Sequence, residues 1–172
     1  MPRHVEATAI VDAAPETVFV FVDDHARFSS HMGESSWMMA GSRMSIELDA
    51  AQGRAVGSHI RLTGRVLGFP LFLDEVVTRR LPPAEKVWQT VGQPRLMVIG
   101  AYTMGIAIAA HGNKSRLRVF IDYELPGGLA TYWLGWLFSG LYARWCVNQM
   151  VKGVAAHFSH DYLTVPGNRV VP

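Results

Sequence analysis

The sequence predicts an α+β fold, a curved antiparallel sheet of about seven strands around a long C-terminal helix, with two short helices after the first strand. Three observations carry this. Strand-like runs follow one another through the middle of the chain; the connectors between them are short and rich in turn residues, which joins antiparallel neighbours; and the stretch from Pro126 to Asp161 reads as one long helix, apolar on every side in its first half. Such a helix has to bury a stripe, and the preceding strands supply the sheet to bury it on. One sheet gripping one helix tends to enclose a pocket.

The elements follow in order. Val5 to Val11 alternates Val5, Ala7, Ala9 and Val11 against Glu6, Thr8 and Ile10, the period of a strand. Asp12 to Glu16 then starts a helix: Asp12 or Ala13 lies near the cap, Pro15 is tolerated in the first turn and Glu16 suits the positive end of the helix dipole. This helix carries Val18, Phe19, Phe21 and Val22 and stops near Asp23-Asp24, after which a second short helix covers Asp24 to His31 with Ala26 and Phe28 inward. Gly33 to Gly41 is a loop of Ser, Met and Gly. Six further strands are expected at Arg43 to Leu48, Gly57 to Leu67, Pro70 to Arg80, Lys86 to Val91, Met97 to Ala110 and Ser115 to Leu125. Their connectors carry turn chemistry at Ala51 to Gly53, Gly68 to Pro70, Leu81 to Ala84 and Ala110 to Lys114.

Composition narrows the function classes. The 172 residues fit a single domain (1–172), and a hydrophobic content of 49% is ample for a core. A net charge of +2, with arginines spread along the chain and no dense basic block, argues against nucleic acid as partner. The lone Cys146 excludes an intramolecular disulfide and reads as a small buried hydrophobe. The N-terminal residues lack an apolar run of signal-peptide length, so a cytoplasmic location is expected. Leu129 to Val147 is the one segment that resembles a membrane span, but Gly135, Ser139, Gly140 and Arg144 interrupt it, and a span needs about 20 mainly apolar residues. A buried helix fits it better.

The order strand, two helices, six strands, long helix also carries a resemblance. It rests on Ala14 to Asp24 after the first strand, on Thr78 to Pro83 leading into Val87 to Thr90, and on Arg116 to Pro126 entering the last helix. These segments resemble the START-related SRPBCC superfamily, which includes polyketide cyclase/dehydrase-like proteins and plant pollen-allergen-like ligand carriers. The resemblance spans nearly the whole chain and implies the helix-grip fold. It implies no catalytic signature that maps onto numbered positions here.

On the last helix, taken at about 100° per residue, Trp136, Gly140, Ala143, Val147, Met150, Val154 and Phe158 share the side expected to face the sheet. Arg144, Asn148 and Lys152 share a neighbouring, solvent-facing side. Leu134, Leu137, Phe138, Leu141 and Trp145 occupy much of that outer side before the polar residues begin, so the first half of the helix needs another cover. The Gly33 to Gly41 loop, a second copy of the chain in a homodimer, and transient contact with a membrane surface are the three candidates.

Strand alternation selects the polar groups that could meet a ligand. Ile60, Leu62, Gly64 and Val66 form one face of their strand, and Leu117, Val119, Ile121 and Tyr123 one face of theirs, leaving Tyr123 as the polar-tipped member of an apolar wall. Pro70 to Arg80 is ambiguous: Leu71, Leu73, Glu75, Val77 and Arg79 oppose Phe72, Asp74, Val76, Thr78 and Arg80. If the first set is inward, Glu75 is a carboxylate in an apolar cavity with a raised pKa unless a cation pairs with it, and the best candidate acid or base in the chain. His31, beside the Trp37 to Met39 run, lies where the helix-grip fold places a cavity entrance. His157, His160 and Asp161 have spacing that could hold a metal but lack a fourth ligand, and no nucleophile elbow, phosphate loop or dinucleotide fingerprint occurs.

The expectation is therefore a helix-grip protein that binds a small hydrophobic molecule between sheet and last helix. Trp37, Met39, Trp88, Tyr102, Met104 and Tyr123 would line the site, and His31 and Glu75 would anchor the polar end. Two alternatives stay open: a polyketide cyclase/dehydratase-like enzyme in which Glu75 or His31 moves a proton, and a lipid-exchange or membrane-surface protein that uses the apolar start of the last helix. No cofactor and no metal is expected.

Overall fold

The structure, a computed structural model, describes residues 2–25, 27–28, 44–66, 69–92, 94, 99–127 and 129–160. Its elements are β1 (Arg3–Val11), α1 (Pro15–Asp23), β2 (Met44–Leu48), β3 (His59–Val66), β4 (Phe69–Leu81), β5 (Glu85–Thr90), β6 (Tyr102–His111), β7 (Lys114–Tyr123) and α2 (Leu129–His160). The strands form one curved antiparallel sheet in the order β1-β7-β6-β5-β4-β3-β2. Each strand from β2 to β7 lies beside its sequence neighbour, and the two- or three-residue connectors of β3–β4, β4–β5 and β6–β7 are too short to reach further. β1 alone pairs out of sequence, closing on β7 from Arg3↔Tyr123 to Val11↔Ser115.

Period-two alternation sets the inner face. Val11, Ile60, Leu62, Leu73, Val77, Trp88, Met104, Ile106, Leu117, Val119, Ile121 and Tyr123 are buried and form one core with Val18, Phe19 and Val22 of α1 and with Ala143, Val147, Met150, Val154 and Phe158 of α2. α2 packs chiefly on β1 and also on β7, while α1 packs on β6 and β7. No helix among the described residues is long and apolar enough to cross a membrane.

Three sequence expectations change, and one lies partly outside the described residues. Of the second short helix, His25, Arg27 and Phe28 are helical, with the Phe28 amide donating to the Asp24 carbonyl at 2.8 Å; Ala26 and residues 29–31 lie outside the described residues. The strand expected from Met97 begins at Tyr102, although the Gly100 amide still donates to the Glu124 carbonyl at 2.8 Å. Gly100 lies so near the opposite chain that a Cβ there would sit 2.9 Å from the Leu125 carbonyl oxygen.

Trp136, expected to face the sheet, is 61% exposed. It shares the angular position of Val147 and Val154, but helical periodicity says nothing about where along its axis the helix meets the sheet. Arg3, the first residue of β1, reaches the Ser139 hydroxyl at 3.4 Å, and Ser139 is the first buried residue among the described side chains of α2. The same guanidinium reaches the Trp136 carbonyl at 3.5 Å, so Trp136 stands at the very edge of the sheet.

The third change is a bulge in β4. The register runs Val77↔Trp88 and then Arg79↔Val87, so Thr78 is an extra residue. Alternation would place Arg79 inward. The bulge instead turns Arg79 out to Glu85, 3.3 Å away, and brings Arg80 opposite Lys86 and towards Asp23.

Candidate functional site

Three adjacent strands bring the central polar pair together. Glu75 of β4 lies opposite Thr90 of β5, and the Thr90 hydroxyl accepts a hydrogen bond from the Tyr102 amide at the start of β6 at 3.1 Å. The Tyr102 hydroxyl in turn donates to Oε1 of Glu75. Leu73, Glu75 and Val77 are all buried, so the ambiguity in β4 resolves with Glu75 on the inner face at 3% exposure. Burial pushes its carboxyl up to about 7, against the opposing pull of hydrogen bonds from Tyr102 and Trp88. The Tyr102 hydroxyl is pushed well above its ordinary value, first by burial and then by the adjacent Glu75 charge.

His25 approaches from the turn after α1, its Nε2 lying 3.8 Å from Oε2 of Glu75. Burial, reinforced by the charge of Lys86, holds the imidazole down to about 3. Between about 3 and about 7 the histidine is therefore neutral and the carboxyl protonated, so this contact is not an ion pair in that range. The ring meets Trp88 edge-on at 5.2 Å, and Phe28 meets the same indole edge-on at 6.3 Å. Trp88 is thus fixed from one side by the helical turn that follows α1.

Beside this group lies a buried ionic cluster. The Lys86 ammonium, fully buried, is 3.1 Å from Oδ1 of Asp23 and donates to the Asp23 backbone carbonyl at 3.0 Å. Arg80 donates through Nη2 to Oδ2 of Asp23 at 2.8 Å. Burial would raise the Asp23 carboxyl, but the hydrogen bond from Arg80 and the charge of Lys86 outweigh it and hold the pKa below the ordinary value. Burial lowers Lys86 despite the opposing carboxylate. The end of α1 is therefore tied to β4 and β5, which positions His25 two residues later.

On the α2 side, the Tyr123 hydroxyl lies 3.7 Å from where a Cβ on Gly140 would stand, an ordinary contact distance, so the hydroxyl rests against this turn of the helix. Tyr142 and Cys146, one turn apart, are hydrogen-bonded to each other, and burial pushes the thiol up to about 12. Cys146 is buried and inert, as its composition-level reading expects.

Of the residues expected to form the site, Glu75, Trp88, Tyr102, Met104 and Tyr123 all belong to the inner side of the sheet between β4 and β7, and Glu75, Trp88 and Tyr102 are in direct contact. His31, Trp37 and Met39 lie outside the described residues. Sequence reasoning missed His25, Asp23, Arg80 and Lys86. Two signals were present: Lys86 stands two residues before Trp88, hence on its face, and Asp23 stands four after the buried Phe19, hence on its helical side. His157 stacks on Phe21 at 4.3 Å; the His160 side chain and Asp161 lie outside the described residues. Among the described residues no group of His, Cys, Asp and Glu side chains is arranged to hold a metal ion.

No protein-family model and no curated protein matches the sequence. Solved structures do match. Norcoclaurine synthase from Thalictrum flavum in complex with dopamine and hydroxybenzaldehyde superposes with a TM-score of 0.65 at 13% identity, over 98% of this chain and 90% of that one. TTHA0849 from Thermus thermophilus gives 0.66 at 16% identity, over 92% and 99%. CV1439 from Chromobacterium violaceum gives 0.58 at 17% identity, over 92% and 98%. At these identities the likeness is one of fold. Seven antiparallel strands, the short helix after β1 and the long closing helix together give the chain the helix-grip fold that these solved structures share.

Proposed function

We propose that the chain binds a small, mostly apolar molecule between the inner face of the sheet and α2, with Glu75 as its polar anchor. One observation carries the reading: a carboxyl at 3% exposure on a face otherwise made of Leu73, Val77, Trp88 and Met104, with its pKa pushed up to about 7. A carboxyl in such a place costs several kcal/mol relative to an apolar residue of similar size, roughly the penalty for burying a polar group, and a scaffold needing only stability would carry leucine there. With its proton on, Glu75 can donate to a guest; without it, it accepts. Trp88, Tyr102, Met104 and Tyr123 supply the apolar and aromatic contact area expected of a small-molecule site. The structurally similar norcoclaurine synthase holds dopamine and hydroxybenzaldehyde, which accords with a small guest in this fold.

Native mass spectrometry of the chain purified from its own host tests this directly, since a retained guest adds its mass. The expected result is an adduct on the wild type that is weakened in Glu75→Leu. A bare mass, together with no thermal shift across a panel of small apolar compounds, would remove the proposal.

A second reading follows from the same carboxyl. A group whose pKa lies near neutrality, beside a tyrosine hydroxyl, suits proton transfer to or from a bound polyketide-like substrate. Here Glu75→Gln would abolish turnover while leaving guest binding intact.

A further inference from the structure

We infer that the outer face of α2 is a docking surface for an anionic lipid membrane. Within six residues the helix exposes four large apolar side chains: Trp136 at 61%, Leu137 at 55%, Phe138 at 44% and Leu141 at 65%. Contiguous exposed apolar surface of this kind marks an interaction site far more often than isolated exposed leucines do.

The charge on the next turns of the same helix decides the occupant. Leu137, Leu141, Arg144, Asn148 and Lys152 recur at the spacing of one helical face, and the last three are exposed. Along the axis, at about 1.5 Å per residue, Arg144 stands about 5 Å past Leu141 and Lys152 about 12 Å beyond that. One face thus runs from aliphatic to cationic, with the exposed Trp136 and Phe138 rings flanking its apolar end. The 32 residues of α2 contain Arg144 and Lys152 and no aspartate or glutamate.

That order matches a bilayer edge. The apolar end, Trp136 included, enters the acyl boundary, and the cations one to three turns further on meet lipid phosphates. A second copy fits less well. A two-fold contact through this face would offer Arg144 and Lys152 of one helix no carboxylate on the other. The inference does not depend on the guest proposal: a chain that bound vesicles and no small molecule would still satisfy it.

Co-sedimentation of the full chain with vesicles tests it. Vesicles of equal parts phosphatidylcholine and phosphatidylglycerol are expected to pellet the wild type, and pure phosphatidylcholine vesicles to pellet at least tenfold less. The double variant Leu137→Glu, Leu141→Glu changes only exposed positions and should keep the wild-type circular dichroism spectrum while losing at least tenfold in partitioning. Arg144→Ala with Lys152→Ala should remove the preference for anionic vesicles. Wild type that stays in the supernatant, or a Glu double variant that pellets as well as wild type, would overturn the inference. So would a dimer in sedimentation velocity that the Glu double variant abolishes, since the occupant would then be a second copy.

Discussion

The Tyr102 hydroxyl on β6 donates to the carboxyl of Glu75 on β4 across the strand that separates them, with Thr90 of β5 bridging beneath. Thr90 holds the Tyr102 backbone through both its amide and its carbonyl, and the ring packs against the core, which keeps the hydroxyl beside Glu75. The pair is therefore a fixed feature of the inner face, and its protonation is coupled to folding.

The first prediction concerns pH. Burial raises Glu75 from 4.5 to about 7, so the folded chain keeps a proton that the unfolded chain has lost, and stability falls as pH rises from about 4.5 to about 7. Burial lowers His25 from 6.5 to about 3, so the unfolded chain takes up its proton first, and stability is lost as pH falls from about 6.5 to about 3. Between about 4.5 and about 6.5 the two slopes oppose and their sum is nearly flat. Glu75→Gln should expose the His25 slope, with stability rising up to about pH 6.5. His25→Gln should expose the Glu75 slope, with a loss of about 3 kcal/mol by pH 8 or so. Urea midpoints over a pH series measure both, and flat profiles in both variants would refute the assignment.

Tyr102→Phe removes the donor and leaves a buried carboxyl oxygen with one partner fewer, at a cost of about 1–3 kcal/mol. Because that hydrogen bond holds Glu75 down, its pKa should climb further above 7. Read in the His25→Gln background, the alkaline step should move to higher pH. A step that does not move would show that the hydroxyl contributes nothing to the protonation of Glu75.

The cluster on Asp23 should respond asymmetrically. Asp23→Ala strands the fully buried Lys86 ammonium without its carboxylate and should cost about 3–5 kcal/mol. Lys86→Met removes the buried cation while Arg80 still pairs with Asp23, so its cost should be well below that of Asp23→Ala. Chemical denaturation of the two single variants decides it, and equal losses would contradict the asymmetry.

Gly105→Ala probes the outer face. A Cβ there would sit 2.5 Å from Cζ of Phe120 and 3.1 Å from Cγ2 of Val87, so the phenyl ring covers the glycine across the β6–β7 pair. The substitution should destabilise by about 1–3 kcal/mol. In a Phe120→Leu background most of that loss should disappear, which a double-mutant cycle reads as coupling. Additive losses would mean the ring is not the obstacle.

Much of this arrangement is legible in the residues. The alternation of Leu117, Val119, Ile121 and Tyr123 places that set inward, and all four are buried. The stripe Ala143, Val147, Met150, Val154 and Phe158 is likewise buried, because helical and strand periods are local properties that survive folding unchanged. Trp136 belongs to the same stripe and is exposed, since periodicity fixes an angle around the helix and not the point along its axis where the sheet begins. Glu75 could be named as the candidate carboxyl while its face stayed ambiguous, because Pro70 to Arg80 alternates apolar and charged residues on both sides.

By itself the sequence determined the order of the elements, the antiparallel pairing of successive strands and the inward side of most strands, because each depends on residues a few positions apart; the pairing of β1 with β7 was left to the tertiary structure. Only the tertiary structure decided which polar groups meet. Tyr102 and Glu75 are 27 residues apart, and Lys86 and Asp23 are 63 apart. The single extra residue at Thr78 turns Arg79 out and Arg80 towards Asp23. These outcomes depend on strand register and on where the end of α1 lands, and both are set by packing between segments distant in the chain.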